Sequence, residues 1–272
     1  EFPIVNTVIK LFKEHNMLFH ENVEITRKSK LSSDIYEIYF RSESIAKAAK
    51  PGQFINVYVN DSSKLLPRPI SICEVTGDEI RLDFRVVGAG TGELATYEVG
   101  DKISVTGPVG NGYDVDYINN NFKHIVLFGG GIGIPPMLEL AKRINIEKTI
   151  ILGYRDELFL NEDFKPYGNV ILASESGEWG TKGNVLTAFD AHNITADAFA
   201  GCGPKVMLNA IKKVAAEKDI PFYMSLEERM ACGVGACLAC VCKTTSKDAH
   251  SNVNNARVCV DGPVFEAKEV EL

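Results

Sequence analysis

The sequence has no run of roughly 18 uncharged apolar residues, the length a helix needs to cross a bilayer, which argues against a membrane span. It also has no Lys/Arg-rich run. Its 29 basic residues are spread among 36 acidic ones, for a formal charge of -7, so nucleic acid is not an expected partner. Internal repeats and low-complexity tracts are absent. No secretory signal is legible either. The segment from Phe2 to Leu18 is apolar in places, but Lys10, Lys13 and Glu14 interrupt it and no small-residue cleavage site follows. That segment reads as a short amphipathic helix. The chain starts Glu-Phe, and Met17 stands just before the first strand-like run, so residues 1–16 are expected to be a cloning or read-through extension. The five histidines are scattered and suggest no role.

What is present is enough apolar material for more than one core: 272 residues, 45% of them hydrophobic. Two domains and a small appendage are expected. Seven cysteines occur, an odd number, and the last five crowd toward the C-terminus. That distribution reads as metal binding in a reducing, cytoplasmic compartment, not as a disulfide framework.

The chain divides into an N-terminal extension (1–20) and three parts. Over 21–118, runs such as Ile35–Phe40, Phe54–Val59, Ile80–Val86 and Ile103–Val105 alternate with period two. Pro51-Gly52, Gly77-Asp78 and Gly100-Asp101 punctuate them. Six strands at this spacing predict an antiparallel barrel, with one short helix at Gly92–Tyr97. Over 119–225 strands alternate with helices: His124–Phe128, Thr149–Gly153, Asn169–Ala173, Ala198–Gly201 and Pro221–Ser225, with helices Pro136–Arg143 and Lys205–Ala216. This predicts a parallel-sheet nucleotide-binding domain. Residues 226–272 hold cysteines and glycines with little periodicity, so this small segment needs a staple such as a metal centre. The fold class is therefore mixed: β in the barrel, α/β in the sheet, plus a small C-terminal iron–sulfur segment.

The strongest motif is Cys232-Gly-Val-Gly-Ala-Cys237-Leu-Ala-Cys240, with Cys259 following after eighteen intervening residues. C-x4-C-x2-C with a distant fourth cysteine is the spacing of plant-type 2Fe–2S ferredoxins, whose potentials lie at roughly -400 mV. Gly233 and Gly235 allow the backbone to wrap tightly, so that N–H groups can point at the sulfurs. A four-thiolate zinc site is the competing reading, but structural zinc favours short C-x2-C pairs. Cys242, in the same run, reads as a buried packing thiol.

Arg68-Pro69-Ile70-Ser71 opens a strand. Alone it is an edge feature. In context, an Arg can pair with a pyrophosphate and a Ser can hydrogen-bond a flavin ring edge. Asp83-Phe84-Arg85 and then Gly88-Ala89-Gly90-Thr91-Gly92 follow, the second a Gly-rich turn before a helix, which favours a phosphate. Farther on, Gly129-Gly130-Gly131-Ile132-Gly133-Ile134-Pro135-Pro136 lies between a strand and a helix, as a pyrophosphate-binding loop does. Gly201-Cys202-Gly203-Pro204 closes a later strand.

These segments in this order, over roughly residues 20–225, resemble the ferredoxin–NAD(P) reductase superfamily. The resemblance implies FAD contacts at Arg68, Pro69, Ile70, Ser71, Asp83, Phe84, Arg85, Gly90 and Thr91. It implies nicotinamide dinucleotide contacts at Gly130, Gly131, Gly133 and Pro136, the loop being of the form G-x-G-x-x-P with Pro136 at the helix start. It also places Gly201, Cys202, Gly203 and Pro204 near the nicotinamide, Cys202 being the candidate catalytic residue. Asp156, roughly 25 residues past the loop, leans the choice toward NAD over NADP, and the adjacent Arg155 stands alone.

Two further segments, Ser225–Cys237 and Cys259–Phe265, are similar to the electron-transfer subunits of NAD-dependent type B dihydroorotate dehydrogenases. That resemblance implies FAD, a 2Fe–2S cluster and NAD as cofactors. It also implies a separate FMN-containing catalytic subunit as partner, in a heterotetramer of two each, and a role in pyrimidine (UMP) biosynthesis. The long insert between Cys240 and Cys259 is the least family-like part. The rival readings are another iron–sulfur flavoprotein subunit, of ferredoxin:NADP reductase or sulfide dehydrogenase type, and a zinc-stabilised binding module.

Overall fold

The computed structural model describes residues 18–247 and 252–272. The N-terminal extension and the helix expected over Phe2–Leu18 lie, but for the last few residues, outside them.

Six strands close into an antiparallel barrel: β1 (Phe19–Lys30), β2 (Ile35–Arg41), β3 (Phe54–Tyr58), β4 (Arg68–Thr76), β5 (Glu79–Arg85) and β6 (Lys102–Val109), in the order β1-β2-β5-β4-β3-β6. Period-two alternation sends Ile38, Phe40, Ile55, Val57, Ile70, Ile72, Leu82 and Val105 into one apolar interior. Each such side chain contributes roughly 1.5–3 kcal/mol by leaving water. Register slips at Phe54/Asn56 and Ile72/Glu74 are bulges that bend the strands around the barrel's corners. β3 and β4 pair with Phe54 opposite Ser71 and Asn56 opposite Pro69. Because Ile55, Val57 and Ile70 point inward, these four side chains share the outer face.

β6 runs past the expected Ile103–Val105, because its Gly107 and Val109 still pair with β1 and β3. The helix expected at Gly92–Tyr97 is α2 (Ala89–Leu94). It starts earlier because Thr91 Oγ1 accepts the N–H groups of Val87 and Gly88, at 3.0 and 3.2 Å. Two short helices were not expected, α1 (Glu43–Ala48) and α3 (Val115–Asn121). Ser42 and Asp114 start them by accepting the N–H of Ile45 and Tyr117.

The second layer is a seven-stranded sheet ordered β10-β9-β8-β7-β11-β12-β15. β7 (His124–Gly130), β8 (Glu147–Tyr154), β9 (Asn169–Ser174), β10 (Thr181–Lys182), β11 (Ala198–Cys202) and β12 (Phe222–Ser225) are parallel. β15 (Val264–Glu266), from the C-terminal segment, joins β12 antiparallel. α4 (Pro135–Arg143) covers one face, over Leu127, Ile150 and Leu152. α5 (Val185–Ala191) and α6 (Lys205–Glu217) cover the other, over Phe128, Phe199 and Phe222. α5 was not expected and is started by Asn184.

α4 also fastens the sheet to the barrel. Glu139 Oε2 accepts the Val75 N–H at 2.9 Å, and Lys142 Nζ donates to Glu74 Oε1, Val75 O and Thr76 Oγ1 at 2.8–2.9 Å. Beside it, the buried Arg81 guanidinium meets Glu37, Asp83 and Asp163 at 2.6, 3.0 and 2.9 Å. The C-terminal segment includes a small antiparallel pair, β13 (Val241–Lys243) and β14 (Asn255–Arg257). It is stitched to the barrel where Asn111 Nδ2 donates to Val260 O at 3.0 Å, and Leu226 N donates to Pro263 O at 2.9 Å within the segment.

Candidate functional site

The four cysteines gather at the outer face of the barrel. Cys240 and Cys259 are buried in the same apolar cluster as Phe54 and Val109, while Cys232 is half-buried and Cys237 exposed. They form two pairs. Cys232 Sγ accepts the Cys237 N–H at 3.4 Å, and Cys237 Sγ accepts the Cys232 N–H at 3.5 Å. The Cys259 thiol is pushed up to about 12 by burial and by the Cys240 thiol against it. Burial also works against ionisation of Cys232, but the N–H of Val234 and the thiol and N–H of Cys237 outweigh it and hold this thiol down to about 7. Among the described residues no three metal-ligating side chains converge on one point.

The backbone between them fits a cluster in another way. Gly233 and Gly235 have φ of +64° and +84°, a left-handed conformation that bends the loop sharply. A Cβ at Gly233 would collide with the Asn56 carboxamide, and one at Gly235 with the Val260 side chain. Two thiol pairs with peptide N–H groups aimed at sulfur suit a two-iron centre with four cysteine ligands. Cys242 is buried on β13 opposite Ala256, and burial raises its thiol, as a packing residue requires.

On the barrel, Arg68 through Ser71 begin β4. The Arg68 guanidinium lies over Gly90, where a Cβ would overlap it, so Arg68 and the start of α2 form one patch. Leu65, Leu66 and Val87 stand exposed beside these segments in sequence. Asp83, Phe84 and Arg85 diverge. Phe84 fills the barrel interior. The Asp83 carboxyl is buried against Arg81, 3.0 Å, and accepts from the Cys73 thiol; burial pushes it up to about 7 despite Arg81. Of the three, only Arg85 reaches the groove toward the sheet, where its Nε lies 3.1 Å from Asp34 Oδ2 without hydrogen-bond alignment.

That groove opens into a cavity of about 520 Å³ lined by Arg85, Gly130, Gly131, Asp156, Pro204 and Met207. It lies at the C-terminal ends of β7 and β11, between which the strand order reverses, where open α/β sheets bind ligands. Gly133 packs so tightly on the Cys202–Gly203 peptide that a Cβ would collide with it. Pro135 and Pro136 both fall in the first turn of α4. Burial pushes the Cys202 thiol up to about 12, so it is not a nucleophile near neutral pH. Tyr113, buried, donates its hydroxyl to Gly201 O at 3.2 Å from below. Arg155 and Asp156 pair at 2.5 Å on the exposed rim.

Residues 227–271 match the model of the iron-sulfur cluster binding domain of dihydroorotate dehydrogenase B. The chain is 39% identical over 264 residues to the dihydroorotate dehydrogenase B (NAD(+)) electron transfer subunit of Fusobacterium nucleatum, covering 93% of this chain and 98% of that one. It belongs to this family of electron transfer subunits. The Lysinibacillus sphaericus member is 40% identical over 264 residues, covering 94% of this chain and all of the relative. Among solved structures, an NADH-dependent reduced ferredoxin-NADP oxidoreductase superposes with a TM-score of 0.81 at 28% identity, over 92% of this chain and 89% of the other.

In this family member, the residues picked from sequence fall mostly at three places: the thiol pairs, the Arg68–Gly90 patch and the Gly130–Pro204 cavity. Asp83, Phe84 and the Ile70 side chain face elsewhere, the last two into the barrel interior. Sequence reasoning missed Asn56, Met207 and Tyr113. Asn56 had a signal, since it is a lone amide inside the apolar run Phe54–Val59. Met207 had none beyond its place in the first turn of a helix.

Proposed function

We propose that this chain is the electron-transfer subunit that links an FMN-containing dihydroorotate dehydrogenase catalytic subunit to NAD+, with a 2Fe–2S cluster and FAD, in de novo pyrimidine (UMP) biosynthesis. The observation that carries the reading is the contact of the cysteine loop with the β3–β4 ribbon, where Asn56 Nδ2 donates to Gly233 O, in a chain whose sheet also opens a cavity where its strand order reverses. When bound, the cluster and FAD supply the conversion between single electrons and the hydride that nicotinamide takes. The chain's own residues bind and orient. Cys232, Cys237, Cys240 and Cys259 hold the cluster, with Val234 and Cys237 N–H groups on sulfur. Arg68 presents a fixed guanidinium for a pyrophosphate, Ser71 a hydroxyl for a ring edge, with Pro69, the Ile70 backbone, Gly90 and Thr91 shaping the same patch. Gly130, Gly131, Gly133 and Pro136 let the dinucleotide approach the backbone, and Gly201, Cys202, Gly203 and Pro204 close the floor.

The corresponding domains are 21–118, 119–225 and 226–272. The partner docks on the cluster segment, where Cys237 is exposed together with Val234, Leu238 and Val241. The assembly is a heterotetramer of two chains of each kind, in the cytoplasm. No helix among the described residues is long and apolar enough to cross a membrane. Oxidation of dihydroorotate belongs to the FMN-containing partner, and this chain does not oxidise that substrate alone. Reconstitution with the FMN subunit tests this: NADH formation from dihydroorotate should require both proteins. Activity no greater than that of the FMN subunit alone would refute the assignment.

The likeness to the NADH-dependent reduced ferredoxin-NADP oxidoreductase supports a second reading, an iron–sulfur flavoprotein reductase subunit with another electron donor. Co-purification with a partner that does not form orotate would favour it.

A further inference from the structure

Asn56 lies in none of the sequence motifs. It sits on β3, fully buried, on the outer face of the barrel directly opposite Pro69 of the flavin strand. Its side chain leaves the barrel and meets the cluster loop: Nδ2 donates to the Gly233 carbonyl at 3.3 Å. Its Oδ1 is buried with no hydrogen-bond partner among the described residues. A buried amide that leaves its acceptor unpaired is costly, so the contact made by its donor is the part that matters.

The Gly233 carbonyl belongs to the same peptide group as the Val234 N–H, and that N–H donates to Cys232 Sγ at 3.5 Å. The three groups form one line: Asn56 Nδ2–H to the Gly233 oxygen, through the peptide, to the Val234 N–H and the Cys232 sulfur. A donor on the oxygen of a peptide polarises its N–H and strengthens the bond that this N–H makes. Bonds to cluster sulfurs favour the reduced, more negative state, and residues behind the ligands tune a metal centre in this way. The left-handed φ of Gly233 presents its carbonyl to β3, and the lack of a Cβ lets the carboxamide reach it.

We propose that Asn56 is a positioning residue that raises the reduction potential of the cluster through the Gly233–Val234 peptide. It couples the strand pair bearing the flavin motif to the cluster loop. The inference rests on the cluster and FAD assignment above and goes beyond it by naming what sets the poise of the centre.

The test is an EPR-monitored redox titration of the cofactor-loaded full chain, as wild type, Asn56→Ala and Asn56→Asp. Both variants lose the donor, and the aspartate adds a negative charge facing the Gly233 oxygen. At a fixed potential the reduced-to-oxidised ratio of the cluster should fall about tenfold in Asn56→Asp, equivalent to 59 mV for one electron, and less in Asn56→Ala. The g-values should shift in both, and the flavin midpoint should stay in place. A cluster midpoint and spectrum equal to wild type would overturn the proposal. So would a flavin midpoint moving in step with the cluster, or loss of iron from both variants, since either describes a residue that merely props the fold. If only the aspartate variant loses iron, the alanine variant decides by the same criteria. A wild-type chain without a 2Fe–2S spectrum removes the functional assignment itself, whereas a wild-type spectrum with unmoved variants removes only this inference.

Discussion

Replacing Asp83 by asparagine should flatten the pH dependence of this protein's stability. The Asp83 side chain is fully enclosed between the barrel and the sheet. It shares Arg81 with two other carboxylates, so one guanidinium faces three acids. Burial raises its carboxyl from 3.8 to about 7, a difference worth roughly 4 kcal/mol at about 1.4 kcal/mol per pH unit. Because the folded-state value lies above the unfolded one, the native state holds a proton that the unfolded chain has released. The stabilisation is complete below about pH 4, declines as pH rises and is spent above about pH 7. Between about pH 5.5 and 7 the Asp83 contribution should fall by roughly 2 kcal/mol, half of the full span. The asparagine side chain would keep the shape and an acceptor for Arg81 without titrating. Urea unfolding of cofactor-loaded wild type and Asp83→Asn at pH 5.5, 6.5, 7.5 and 8.5 measures the difference directly. Wild type should lose its advantage over the variant across the lower half of that range, and the gap should be constant above it. A gap unchanged from pH 5.5 to 8.5 would refute the reasoning, because it would mean that Asp83 is ionised throughout.

Three other substitutions separate the sites from one another. Cys237→Ser should abolish the cluster's visible and EPR signals while FAD remains, whereas Cys242→Ser should keep both; iron-to-flavin ratios read the contrast. Val206, exposed on the cavity wall at the start of α6, can be replaced by glutamate without disturbing the core. Its negative charge near the dinucleotide phosphates should raise the KM for NADH about tenfold, near 1.4 kcal/mol, and leave the cluster spectrum unchanged. An unchanged KM would place the dinucleotide elsewhere.

The sequence made the barrel legible because its strands run five residues or more with apolar side chains recurring on the inward face, even where, as in β3 and β5, the other face is covered too. The cysteine spacing was legible because ligands must converge within a short loop. Short elements were not. α1, α3 and α5 are six or seven residues long, less than two turns, so no apolar stripe can repeat. Their start residues Ser42, Asp114 and Asn184 were the available signal. β15 spans three residues and exists only because β12 offers it an edge. In Asp83-Phe84-Arg85 the motif hid a strand: alternation sends Phe84 inward and its neighbours outward, and only a three-dimensional view shows Asp83 spent on Arg81.

β15 has a consequence for how the protein is made. The sheet's outer strand β12 is synthesised before Val264–Glu266 emerge, so until then it offers a bare row of amides and carbonyls to any passing chain. The later segment closes that row and, in the same movement, brings Cys259 to its partners. Truncation ahead of β15, or failed metal loading beside it, should therefore show itself as aggregation of the whole polypeptide before it shows as loss of electron flow.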